Sequence, residues 1–230
     1  MMTFFLTAAF SSLILLDATY AGQFMLSEPI FMLPLMGFVS GHPGEGMRAG
    51  INMEFIFLGR LAVGASVPPF AGFAAAVFWC SAVLSGSFRT PLLVAVFLLS
   101  LPAGYWGREV DIFVRRINGV ISEYVFEDVV SKGKFSKISS GMFMSLALTF
   151  FINLVNICVL SWVVSTAAAR VEALMGGIMD AHYIGEVWRY LPLAGMLFLL
   201  DRFNDKRNNG YFIAGITGGL LAGVIFWAAL

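Results

Sequence analysis

Residues 50–70 read GINMEFIFLGRLAVGASVPPF, and how this stretch is read decides the fold. It is apolar enough to enter a bilayer, yet it carries Glu54 and Arg60 and stops at Pro68-Pro69. Its apolar part runs over residues 50–66, and the preceding apolar stretch, 29–41 (PIFMLPLMGFVSG), is shorter still. At 1.5 Å per residue a helix of about 13 residues reaches roughly 20 Å, against a hydrocarbon core of roughly 30 Å. Short apolar segments bounded by glycine and proline mark re-entrant or broken helices. These survive at membrane depth only when packed in protein or lining a polar cavity.

The rest of the chain supplies the membrane context. Of its 230 residues, 59% are hydrophobic and 12% charged, about half the charge of a soluble domain. Apolar runs at 1–20, 69–84, 91–106, 142–168, 187–200 and 211–230 are expected to be membrane helices, because a backbone in lipid must satisfy its own amides. The short alternating segments of an outer-membrane barrel are absent. The expectation is an all-α, polytopic integral membrane protein, one domain over 1–230, with about six spanning helices plus two short re-entrant or broken helices near the N-terminus. No basic region precedes the first apolar run, so it reads as a retained helix rather than a cleaved signal. Zero net charge gives no bulk attraction to nucleic acid. Cys80 and Cys158 lie in apolar runs without metal or redox spacing and read as small buried hydrophobes.

Between 107 and 139 the pattern changes. Val110, Phe113, Val114, Ile117, Val120, Ile121 and Tyr124 recur at three- and four-residue steps, the signature of an amphipathic helix at the interface or extending a span. The same segment holds Arg108, Arg115, Arg116, Lys132, Lys134 and Lys137, and 201–209 holds Arg202, Lys206 and Arg207. The segment 170–186 holds only Arg170. The positive-inside rule therefore puts 107–139 and 201–209 in the cytoplasm and 170–186 outside.

The N-terminal third concentrates the polar groups: Asp17, Gln23, Glu28, His42, Glu45, Arg48, Asn52, Glu54 and Arg60. Charges at membrane depth cost several kcal/mol and mark function by default. Glu45 and Arg48, between Gly44 and Gly50, are expected in a surface loop; Glu54, with apolar neighbours on both sides, is expected at depth. Glu54 and Arg60 are six residues apart, about 120° around a helix, so each needs a partner on another element or a hydrophilic cavity. Gly37/Gly41 and Gly46/Gly50 have the spacing that lets helices approach closely in membranes. A sugar site needs carboxylates and amides for hydroxyls and an apolar surface beneath the ring. Asp17, Gln23, Glu28, Asn52 and Glu54 supply the first, and Tyr20, Phe24 and Phe55 the second. A cation pathway would use the same carboxylates, so residue types leave the substrate open. There is no P-loop, HExxH, GxSxG or zinc pattern, and His42 and His182 stand alone. No catalytic residue, metal or cofactor is expected on this chain.

The run from Leu15 to Phe70 resembles the N-terminal region of the IIC components of mannose/fructose/sorbose-type phosphotransferase systems. The resemblance rests on Leu16-Asp17, Gln23, Pro29, Gly37/Gly41, Gly50, Glu54, Leu58-Gly59, Gly64-Ala65 and Pro68-Pro69. It continues through IFVRRINGVISEYVFEDVVSKGKFSKIS, VWRYLPLAGMLFLLDRF and NNGYFIAGITGG, and so covers nearly the whole chain. The chain departs from the pattern at His42 and Phe70, where the family often has acidic or amide residues.

The resemblance implies a subunit of the bacterial inner membrane that translocates a hexose-type sugar. Its substrate region is 1–70, with Gly37, Gly41, Gly50, Gly59, Gly64, Pro68 and Pro69 as structural or hinge positions. It implies an IID membrane partner, soluble IIA and IIB proteins that carry the phosphate, and a trimer of IIC–IID pairs. The alternatives are a non-transporting assembly or sensory subunit descended from such a permease, and an ion-coupled transporter.

Overall fold

Proline and glycine punctuate the first hundred residues, and the helices break where they stand. The structure, a computed structural model, describes residues 1–59, 67–132, 136–176 and 181–203, and its regular elements are all helices. They are α1 (Met2–Leu15), α2 (Pro29–Val39), α3 (Pro43–Phe57), α4 (Ala71–Ser85), α5 (Thr90–Ser100), α6 (Ala103–Lys132), α7 (Ser136–Gly176) and α8 (Ala181–Phe203). A single 3₁₀ turn, Leu16–Ala18, closes α1. Arg60, Gly64 and the expected last span 211–230 lie outside the described residues, as do Lys206 and Arg207.

The two short N-terminal helices are α2 and α3, and they form a hairpin. Pro29 opens α2, where its missing N–H costs nothing. The helix ends in a Schellman arrangement: Gly41 takes φ +79°, the His42 N–H donates to the Gly37 carbonyl at 2.8 Å, and the Gly41 N–H donates to the Phe38 carbonyl at 3.2 Å. Gly41 is thus a turn residue, with nothing near the position of a side chain. Gly37 and Gly46 are the packing residues: a Cβ on Gly37 would lie 2.7 Å from the His42 carbonyl oxygen and 3.0 Å from Gly46 Cα.

Two sequence expectations need correction here. The second short segment is 43–57 rather than 50–66, because Pro43 at the first position and Glu45 in the first turn start the helix seven residues earlier. Glu45 and Arg48 are therefore helical rather than in a loop, and pair at 3.9 Å on the exposed side of α3. The expected span at 69–84 is the helix α4, and that at 91–106 is divided between α5 and the start of α6. At 15 residues, α4 reaches roughly 22 Å, and α5 stops after 11 because Pro102 has no amide hydrogen to continue the ladder.

α4 is the centre of the bundle. All residues from Ala71 to Ala82 are buried, so this apolar helix faces protein on every side. Its small residues admit neighbours closely: Gly72 lies against the Ser27 carbonyl, and Ser81 donates to the Val77 carbonyl at 2.6 Å and the Ser161 carbonyl of α7 at 3.3 Å. One turn on, Ser85 and Ser165 share a hydrogen bond of 3.0 Å. At the far end, Arg89 after α4 pairs with Glu172 of α7 at 3.1 Å.

The helix from Lys137 to Leu174, within α7, is long and apolar enough to cross a membrane. The pair Thr90–Ser100 and Ala103–Ser131, bent by 42° at the Leu101-Pro102 break, makes a second, broken span if taken together. Among the described residues one helix, or two spans if the bent pair is taken as one, meets this length-and-composition test, and the expected span 211–230 lies outside them. The 41 residues of α7 measure roughly 60 Å, twice a hydrocarbon core. Its first turns continue alongside α6, where Gly141 meets Ile121 and Val125.

Candidate functional site

Asp17 follows α1 and is 6% exposed. A carboxylate buried this far needs partners, and its two oxygens accept the N–H groups of Phe24 at 2.8 Å and Leu26 at 2.7 Å. Those amides belong to a loop with three left-handed residues, Gly22 (φ 83°), Gln23 (φ 57°) and Met25 (φ 66°). Left-handed backbone is uncommon outside glycine, so Gln23 and Met25 are held against their preference, and Asp17 is what holds them. The loop delivers Glu28 to the start of α2, where Glu28 takes extended backbone as the cap residue.

Around this loop lies a pocket of about 380 Å³. Asp17, Gln23 and Glu28 line it from one side and Pro68, Pro69 and Phe70 from another. Phe70 is fixed there by its N–H, which donates to the Gly104 carbonyl at 2.8 Å and ties the start of α4 to the start of α6. The third wall is α6, which contributes Arg108, Asp111 and Arg115. Those positions are spaced by three and four residues and share one helix face. Arg115 donates to Asp111 at 2.8 Å and Arg108 to Glu109 at 2.6 Å. The pocket thus mixes carboxylates, an amide and guanidinium donors beside an apolar proline-phenylalanine surface, a set that can bond several hydroxyls of a neutral polyol.

The five residues singled out from the sequence are not all gathered together. Asp17, Gln23 and Glu28 share the pocket; Glu54 and Asn52 do not line it. Glu54 accepts the Ile30 N–H at 3.3 Å, so one of its partners on another element is the N-terminus of α2. Asn52, 4% exposed, donates to the Trp188 carbonyl at 3.1 Å and fastens α3 to α8. Asn52→Ala is expected to lower the protein's stability by about 1–2 kcal/mol, read as a fall in melting temperature, because it strands a buried carbonyl. An unchanged melting temperature would show that this bond contributes nothing.

Arg108, Asp111 and Arg115 are not among the site residues the sequence suggests: Arg108 and Arg115 enter there only as basic residues that set orientation, although the three-four spacing of the trio is visible in the sequence.

Residues 1–225 match the family model of the PTS system sorbose-specific IIC component. No curated protein matches the chain. A solved structure described as that of a membrane protein aligns with a TM-score of 0.66 at 19% identity, covering 100% of this chain and 94% of that one. A chain from the complex of the mannose transporter ManYZ with microcin E492 aligns with a TM-score of 0.58 at 18% identity, again covering 100% and 94%. At these identities the likeness is one of fold.

Proposed function

The chain belongs to the sorbose-specific IIC family of the phosphotransferase system, and from that premise we propose that it binds a hexose-type sugar in the pocket between α1, α2, α4 and α6. As a IIC component it is the membrane subunit of a sugar permease that works with IID, IIA and IIB proteins. In our reading it passes the sugar across the bacterial inner membrane to be phosphorylated by IIB, within a trimer of IIC–IID pairs. The segment 107–139 faces the cytoplasm, in keeping with its basic residues.

The observation that supports this placement is the convergence of Gln23, Glu28, Asp111 and Arg115 on one pocket bounded by Pro68-Pro69. Gln23 and Glu28 bond hydroxyls from the loop, Arg108 and Arg115 donate from α6, and Phe70 offers an apolar surface for the ring. Asp17 acts at one remove, by holding the loop.

The test uses vesicles carrying the chain with its IID partner, supplied with IIA, IIB and phosphoenolpyruvate. Glu28→Gln and Arg115→Gln are each expected to raise the sugar concentration needed for half-maximal phosphorylation by about tenfold or more, the scale of one lost charge-assisted bond. Sugar phosphorylation that persists without this chain would remove the permease role. Uptake driven by an ion gradient, with unmodified sugar accumulating, would replace it by ion coupling.

A further inference from the structure

The face of α6 that walls the pocket continues beyond it. Asp111 and Arg115 line the pocket, and Asn118 follows at the next three-residue step on the same face. Both polar atoms of the Asn118 amide are sealed from solvent and have no hydrogen-bond partner among the described residues. The Tyr20 hydroxyl, from the turn that follows α1, is sealed and unpartnered in the same way. It lies beside Asp111 and Asn118 and within the field of Arg115. Tyr20 does not line the pocket, so it is not the apolar surface beneath a sugar ring that its residue type suggests. Its hydroxyl stands behind the wall, at the back of the Asp111–Arg115 pair.

That pair is held from one side. Asp111 Oδ2 accepts the Nε–H of Arg115 at 2.8 Å, which leaves the two terminal amino groups of the guanidinium with donors to give. The Asp111 side chain is 13% exposed and that of Arg115 52%. A half-exposed arginine loses side-chain entropy in keeping one geometry. The direction of its amino groups therefore depends on how firmly the carboxylate beneath it is held. A second donor on Asp111 would fix the carboxylate in plane, and the Tyr20 O–H is the one beside it. The Asn118 amide can in turn donate to the phenol oxygen. Buried polar groups are ordinarily paired, and sealed, unpaired atoms side by side mark bonds that a small movement closes.

Resting on the sugar reading of this pocket, we propose that Tyr20 is the positioning residue of the Asp111–Arg115 pair. On sugar binding its hydroxyl closes onto the Asp111 carboxylate, and Asn118 closes onto the phenol oxygen. The guanidinium, bonded to Asp111 through Nε, is then fixed with its terminal N–H groups on the sugar hydroxyls. These bonds form together with the sugar contact. The Tyr20 hydroxyl therefore adds to sugar affinity and not to the stability of the protein alone.

The experiment uses the full chain with its IID partner. Mannose, fructose and sorbose serve as probes, and the sugar that is phosphorylated is used throughout. Vesicles give the sugar concentration for half-maximal phosphorylation, and the purified pair gives the melting temperature without sugar. Tyr20→Phe keeps the ring and removes the hydroxyl. It is expected to raise the half-maximal concentration by about fivefold or more without lowering the melting temperature. In an Arg115→Gln background the same change should alter that concentration by less than about twofold, because no guanidinium remains to be positioned. A half-maximal concentration unchanged by Tyr20→Phe, an equal fold-change in both backgrounds, or a lower melting temperature overturns the proposal. Glu28→Gln, measured alongside, tells this failure from that of the pocket. If Glu28→Gln and Arg115→Gln act while Tyr20→Phe does not, the positioning role alone falls. If none of the three acts, the pocket is not the sugar site and the positioning role falls with it.

Discussion

Replacing Gly46 with leucine is expected to lower the melting temperature and the yield of folded protein sharply. A Cβ at Gly46 would fall on the Leu33 carbonyl oxygen and 3.0 Å from Gly37 Cα, so both obstacles are the backbone of α2. Backbone in a helix cannot swing aside as a side-chain tip can, and the hairpin must separate to admit the new group. Overpacking of this kind costs about 3 kcal/mol or more, a large share of the stability of a typical domain. The control is Gly44→Leu, two residues away in the same helix, where nothing lies within 4 Å. That variant should stay within about 0.5 kcal/mol of the parent. Melting temperature and the yield of monodisperse protein in detergent read both; equal behaviour of the two variants would falsify the close approach of α2 and α3.

The second large effect is expected from Asp17→Ala. The change strands the buried N–H groups of Phe24 and Leu26 and frees a loop that has three left-handed residues. Two charge-assisted bonds are lost, so the local cost is about 3 kcal/mol or more. The loop should open to protease between Ala21 and Glu28, and sugar phosphorylation should fall with it as Gln23 and Glu28 leave their places. Asp17→Asn keeps one acceptor oxygen and should fall between the two in both measurements. If Asp17→Ala instead leaves the loop as resistant as the parent and abolishes sugar binding, the carboxylate contacts sugar directly, as its residue type alone suggested.

That contrast shows where sequence reading stops. A carboxylate seventeen residues into a membrane protein is conspicuous, but nothing in the sequence says that amides seven and nine positions later turn toward it. Glu54 is similar: the six-residue separation from Arg60 excluded a pair on one helix face and required another partner. That the Ile30 amide is one such partner depends on how α2 folds back on α3. The hairpin itself was partly legible, through short apolar runs, Pro29, and glycines at close-packing spacing. The start of α3 is obscured because hydropathy falls over PGEGMR, and low hydropathy in a first turn resembles a loop. Pro43 and Glu45 were the local signals for the true start.

The spans illustrate a different limit. Hydropathy reports how apolar a helix is, but lipid tails and protein interiors are equally apolar. AGFAAAVFWCSA has the composition of a span, and its alanines, glycine and serine are what let other helices surround it.

The burial of α4 also has a consequence for how the protein is made. The serine hydroxyl contacts that α4 forms on α7 join residues 80 positions apart. At roughly 5–20 residues per second, α4 leaves the ribosome about 4–16 seconds before its α7 neighbours exist. Until then this apolar helix has to wait in the bilayer or beside the insertion machinery without the helices that will surround it. The newborn chain therefore passes through an interval in which its central helix lacks its companions. A ribosome stalled anywhere between residues 86 and 160 would leave that intermediate in the membrane, open to membrane proteases that the finished bundle excludes.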